Sequence, residues 1–264
     1  MSDALHVGIE GIGVWSPKFA DWNLARNHFR GESVDAAVSS ARPAPAILPA
    51  NERRRAPEAV LLALEVAQQA CTAADRNPRE LPNVFASAYG DLIINDYMCD
   101  MLARAPLEIS PTRFHNSVHN AAAGYWAIAS GCMQSSSAIS AGWETFGAGL
   151  LEAALLALDL QTPVLSVACD VAACGALVDV IPSRSAFAVA MVLAPPSARA
   201  IAQLRVRTQV VSLASTPAMS QSGANGNPIA LSLPLLQGLA QGEPRSVDIA
   251  AGPELNLSME MHFD

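Results

Sequence analysis

The chain has 264 residues, 51% of them apolar and 15% charged, with a formal net charge of −8. That length allows one large domain or two small ones. The acidic balance and a single lysine, Lys18, speak against nucleic acid as a partner.

Mean hydropathy is high, at +0.26, yet no run of about 18 apolar residues has the flanks of a membrane span. The closest stretch, Phe146 to Leu158, is short, contains Glu152 and reads as a buried core helix. An apolar excess with few charges also fits a large subunit interface, because obligate interfaces resemble a core cut in half. The start, MSDALHVGIEGIGVW, lacks a basic segment followed by an apolar one, so no signal peptide and a cytoplasmic location are expected. Cysteines 71, 99, 132, 169 and 174 are odd in number and form no CxxC pair, which predicts reduced, buried thiols.

In chain order, residues 5–14 alternate apolar with small or polar residues and predict a strand broken by Trp15-Ser16-Pro17. The GIG within it is a lone GxG and carries little weight as a dinucleotide fingerprint. Residues 31–52 read as an irregular loop, and Arg53-Arg54-Arg55 as a solvated turn before a helix. Pro57 sits at a first-turn position, and Val60, Leu61, Leu64, Ala67 and Cys71 recur at helical spacing as far as Asp75. Asn83 to Ala88 is a short buried strand, and 91–104 an amphipathic helix stopped by Ile109-Ser110-Pro111. A helix over 117–130, a strand near 136–141, a tight turn at Gly142 and a very apolar helix over 144–159 follow. Val164 to Cys169 and Phe187 to Leu193 are continuous apolar strands, the mark of a sheet covered on both faces. The order of elements predicts an α/β fold. In the tail, 202–212 and 255–263 alternate as strands, 214–228 is a loop and 229–240 a helix.

The segment 110–160 resembles the nucleophile region of β-ketoacyl synthases. Ser110-Pro111, Asn120, Ala123-Gly124, Gly131, the SSSAISAG strand and the Ala/Leu-rich helix fall in that family's order without gaps. Ser87 to Gly90 is similar to its small-residue strand end. The resemblance covers about residues 5–195 and is nearest to the truncated, ketosynthase-like chain-length-factor subunit of bacterial aryl polyene pathways. It implies a thiolase-like layered α-β-α fold in a single domain, with 1–195 as the complete half and 196–264 as a remnant of the second.

The departures from the family carry the functional expectation. On this register the nucleophile position falls on Trp143, and neither neighbour, Gly142 or Glu144, is a thiol. Condensation needs a thiolate at a helix N-terminus and assisting histidines; the five histidines are 6, 28, 115, 119 and 262, so 120–261 has none. The resemblance therefore implies no catalytic residue, no cofactor and no metal. It implies a subunit that pairs with an active β-ketoacyl synthase and meets acyl carrier protein only through that complex. Arg113, Phe114, His115 and Asn116 occupy the family's interface segment bordering the partner's acyl pocket, and Ala88 and Tyr89 fall where it lines that pocket. Plain interface packing is the alternative for all six.

Other readings remain open at this point. Trp143 either closes this subunit's own pocket or packs a core left from the lost site. Cys169 or Cys174 would serve an independent acyl-transferring enzyme, although free cysteines are commonly buried. His115 and His119 have metal-ligand spacing without a visible third ligand. Glu144 and Asp170 read as helix N-terminal charge and loop polarity. A homodimeric scaffold is a third possibility.

Overall fold

The computed structural model describes residues 4–32, 42–211 and 226–263. Of the two expected loops, 31–52 lies outside the described residues at 33–41 and 214–228 at 214–225.

Strand β1 (Leu5–Trp15) shows how local pattern becomes register. Val7 and Ile9 face one core cluster, and so do Ile12 and Val14, although the two pairs differ in parity. A strand turns successive side chains to opposite faces, so one residue must be looped out between them. The pairing supplies that bulge: Ile9 stands opposite Leu193 and Gly11 opposite Val192 of β5 (Phe187–Ala194). The extra residue is Glu10, buried and held by Arg76 through two bonds of 2.7 Å. On the other face, a Cβ on Gly13 would lie 2.1 Å from the Val66 carbonyl oxygen, which is how α3 (Glu58–Ala73) seats directly on β1.

Strands β2 (Asn83–Ala86), β3 (Ser136–Ile139) and β4 (Val164–Asp170) run parallel, while β5 lies antiparallel between β4 and β1. In β5 the odd positions Phe187, Val189, Met191 and Leu193 enter one cluster, and Ala188, Ala190 and Val192 the other, with α3. Both faces are covered, as the unbroken apolar runs of β4 and β5 predict. Helix α7 (Thr145–Leu160) covers the first face; α6 (Ala121–Ser130) packs beside α3 on the second. The α/β fold expected from the order of elements is present, in the layered α-β-α arrangement that the family resemblance implied.

The remaining strands are one-sided. In β6 (Ala202–Val210), β7 (Arg245–Gly252) and β8 (Leu255–His262), alternate residues such as Leu204, Val206, Val247, Ile249, Leu257 and Met259 are buried. Arg205 and Arg207 point away and bind Glu260. The eight described strands form one sheet in the order β3-β2-β4-β5-β1-β6-β8-β7. Helix α7 touches both β4 and β7, which are five positions apart. In a flat sheet that separation would be about 24 Å, whereas Gly147, set against Ala250 of β7, and Gly149, set against Ala86 of β2 beyond β4, stand only about 3 Å apart along the helix axis. The sheet therefore coils around α7, and the second-half strands close over its far side.

The structure corrects several expectations. The predicted helix over 117–130 begins later, as α6 at Ala121, and a separate short helix, α5 (Pro111–His115), precedes it. Helix α4 (Leu92–Arg104) ends well before Pro111, which starts α5 instead. Pro57 is the N-cap of α3 and not its first turn. The three arginines form the last turn of a short helix, α2 (Ala50–Arg55). Helix α1 (Trp22–Phe29) and strand β7 had not been expected. The tail helix over 229–240 divides into a 3₁₀ turn, Pro228–Ser232, and α8 (Leu233–Gln241). Cys71, Cys132 and Cys169 are buried as expected, but Cys99 is exposed and Cys174 partly so. Among the described residues no helix is long and apolar enough to cross a membrane.

Candidate functional site

The parallel strands β2, β3 and β4 end side by side at Ala86, Ile139 and Asp170. Carboxyl ends of parallel strands form the natural crevice of such sheets, because the loops leaving them diverge. Three segments converge there: the loop after β2, the turn between β3 and α7, and the residue that closes β4.

That closing residue is Asp170, which is fully buried. Its Oδ1 accepts from the Ser87 hydroxyl at 2.8 Å and from the Tyr89 N–H at 3.0 Å, and its Oδ2 from the Ala88 N–H at 3.0 Å. Burial pushes the carboxyl up to about 6, with the three hydrogen bonds and His119 opposing. His119 stands on the α5–α6 connection with its Nε2 2.8 Å from the Ser87 carbonyl. The Ser140 hydroxyl reaches the Ala88 carbonyl at 3.2 Å, and the Asn227 amide donates to the Asp170 carbonyl at 2.9 Å. Asp170 is thus a buried hub and not loop polarity. The signal was present in the sequence: a carboxylate ending the apolar run VLSVAC has to be either solvated or hydrogen-bonded.

Trp143 sits in a 3₁₀ turn, Gly142–Glu144, immediately before α7. Thr145 holds the turn: its hydroxyl donates to the Gly142 carbonyl at 2.7 Å and accepts from the Ala141 N–H at 2.9 Å. The indole is half-buried and belongs to none of the core clusters among the described residues. Its turn touches Pro228–Ser232 and β7. Glu144 lies at the start of α7, as expected of helix N-terminal charge.

The six expected interface residues fall in three places. Ala88 and Tyr89 are in the loop tied to Asp170. Arg113 and His115 are exposed on α5, as is Phe114 at 60%. Arg113 stacks 4.1 Å above the Tyr97 ring and lines a cleft of about 620 Å³ with Cys99 and Cys174. His115 and Asn116 line another, of about 710 Å³, with Val118, Tyr125 and Ile128. Asn116 is buried and accepts from the Tyr125 hydroxyl at 3.3 Å. The link between the two segments is His119, which plays a structural part, the reading favoured over metal ligation beside His115. Among the described residues no three of His, Cys, Asp or Glu converge as a metal site would require.

Neither alternative thiol is poised as a nucleophile. Burial, followed by Asp170 and Asp91, raises the Cys169 thiol, whose Sγ faces the Ala59 carbonyl at 3.8 Å. Cys174 is raised too, first by burial and then by Asp96, Asp91 and Glu58. Thiolate is the reactive form, and both settings disfavour it.

Around α6 the surface carries several exposed large apolar side chains. Helix α6, AAAGYWAIAS, is apolar on every side, yet only Ala123 and Trp126 are buried. Ile128 is 86% exposed, Met133 93% and Val118 50%. Among the described residues β3 ends the sheet and pairs only with β2, so its outer edge has no partner there. A helix without a polar face belongs in an interior.

The family model described as β-ketoacyl synthase, N-terminal domain, matches residues 27–251. Comparison with curated proteins gives no match. Among solved structures, the ketosynthase (ApeO) in complex with its chain length factor (ApeC) from Xenorhabdus doucetiae is similar at TM-score 0.73 and 24% identity, covering 97% of this chain and 99% of that one. The ishigamide ketosynthase/chain length factor aligns at TM-score 0.68 and 14% identity over 97% and 99%. A β-ketoacyl synthase from Burkholderia phymatum STM815 aligns at 0.69 and 11%, covering both chains fully at 100%. At these identities the likeness is one of fold, which is thiolase-like, with one half complete and the second reduced.

Proposed function

From the premise that the chain belongs to the β-ketoacyl synthase family, we propose that it is a non-catalytic, chain-length-factor-like subunit. It pairs with an active β-ketoacyl synthase and shapes that partner's acyl tunnel in polyketide-type, aryl polyene biosynthesis. The observation that carries this reading is the apolar surface at α6, where Ile128, Val118 and Met133 are exposed beside β3, an edge strand with no outer partner among the described residues. Both features favour association, the first through its apolar area and β3 through its free backbone groups.

The chemistry fits a disarmed site. At the turn before α7, where the family register places the nucleophile, an indole offers no sulfur to acylate. Cys169 and Cys174, the alternative nucleophiles, sit in settings that disfavour the thiolate, first through burial and then through nearby carboxylates. Acyl carrier protein would then be met by the pair and not by this chain alone.

Co-expression with an active ketosynthase of the same pathway, followed by native mass measurement, tests the reading. A one-to-one complex that Ile128→Asp weakens at least tenfold is expected. A stable monomer that ignores the ketosynthase overturns it, and a self-associated dimer would establish the scaffold alternative instead.

A further inference from the structure

The loop after β2 is held in an unusual way. Three consecutive residues, Ser87, Ala88 and Tyr89, turn a hydroxyl and two backbone N–H groups onto one carboxylate, Asp170, at 2.8–3.0 Å. Asp170 has no arginine or lysine ion pair among the described residues. Its ionised oxygens are acceptors only, so they suit three converging donors; an asparagine amide would present one acceptor and two competing donors. Burying an uncompensated carboxylate is costly where a neutral side chain would serve packing equally well. What the carboxylate supplies is geometry.

That geometry passes to the loop's other face. Gly90 takes a left-handed conformation, φ +66°, and donates to Ser87 Oγ at 2.9 Å. The Asn95 amide donates to the Tyr89 carbonyl at 2.9 Å. Through the Ser87 and Ala88 carbonyls the loop also meets His119 and Ser140, so it borders both the α5–α6 surface and the turn bearing Trp143.

We propose that Asp170 is a positioning residue: it holds Ala88 and Tyr89 as a fixed wall of the acyl tunnel and thereby sets the length of chain that the heterodimer releases. This rests on the reading of the chain as a tunnel-shaping subunit. The wall is backbone pinned from behind, so its position depends on a residue that never meets the acyl chain.

The test uses Asp170→Asn and Ser87→Ala, each in the full chain, alone and with its ketosynthase. Hydrogen exchange of the Ala88 and Tyr89 amides reads the latch directly. At least tenfold faster exchange is expected in Asp170→Asn, with the amides of α3 unchanged, and a smaller effect in Ser87→Ala. In the complex, the product-length distribution, normalised to total product, should broaden or shift in the same order. Unchanged exchange overturns the latch. Faster exchange with an unaltered product distribution overturns its role in length control. Should Asp170→Asn fail to fold, Ser87→Ala carries both readouts, since it keeps the carboxylate and removes one donor. If the wild-type chain forms no complex, the subunit reading itself fails, and exchange in the chain alone still decides whether Asp170 pins the loop.

Discussion

Gly147, in the first turn of α7, lies against Ala250 of β7 so closely that a Cβ there would stand 2.1 Å from the Ala250 carbonyl oxygen. The neighbouring Gly149 is as tightly placed on β2, where its Cβ would be 2.8 Å from that of Ala86. These two contacts clamp α7 inside the coiled sheet. Gly147→Ala should destabilise the chain by about 3 kcal/mol, because the obstacle is strand backbone that cannot rotate away. A denaturant midpoint unchanged from wild type would show that β7 is not seated on α7. Gly124 is the contrast: nothing lies within 4 Å of its Cβ position on α6, so Gly124→Ala should leave the isolated chain at least as stable.

Arg76→Ala should be among the most damaging polar substitutions. Its guanidinium is the bidentate partner of Glu10, whose side chain is only 1% exposed in the bulge of β1. Removing one partner of a buried pair leaves an uncompensated charge, worth about 3–5 kcal/mol. Glu10→Gln together with Arg76→Ala should recover part of that loss. Equal stability of the single and double variants in urea titrations would refute the account.

Stability should depend on pH through Asp170. Burial raises its carboxyl to about 6, above the ordinary carboxylate range, so folding favours the protonated form. Its contribution is fully present below that ordinary range and is lost as pH rises through about 6. The stability difference between wild type and Asp170→Asn should therefore shift against wild type by on the order of 3 kcal/mol from pH 4 to pH 7. Parallel pH profiles for the two proteins would show that Asp170 does not titrate in this window.

Substituting Tyr89, Arg113 or Phe114 should shift the length distribution made by the complex. Phe114, 60% exposed, and Arg113, stacked on Tyr97, are available to a partner's surface, and small volume changes in a tunnel wall alter which chain fits. Unchanged products from intact complexes would leave these residues as packing alone.

Trp143→Cys should not restore condensation. The new thiol would gain the N-terminal end of α7 but no histidine, since the chain has none between His119 and His262. It would lack the positioned donors needed to stabilise an enolate. Because the indole is only half-buried and lies outside the core clusters, the stability cost should be about 1 kcal/mol, well below that of emptying a core site. The assay is the variant alone with acyl and malonyl carrier proteins, and any ketoacyl product above the wild-type background would reveal an unrecognised base.

Much of this fold was legible because its signals are local. Strand β1, helix α3, the unbroken apolar strands β4 and β5, and the apolar α7 announce themselves through period and composition within a dozen residues. The alternation of Val247, Ile249 and Ala251 in β7 was present as well, but passed unread in a polar tail. By contrast, pairings across long sequence distances leave no local trace. Ser87 and Asp170 are 83 residues apart, and Glu10 and Arg76 are 66 apart.

The sequence by itself determined which faces are apolar, that no thiol stands at the turn before α7, and that no histidine falls between His119 and His262. Only the tertiary structure decided that Asp170 is a hub, that the sheet coils around α7, and that Ile128 of α6 is left exposed. A buried carboxylate and an exposed apolar helix residue read alike in sequence to ordinary loop and core residues. Their meaning depends on what surrounds them, and only the packing of distant segments fixes those surroundings.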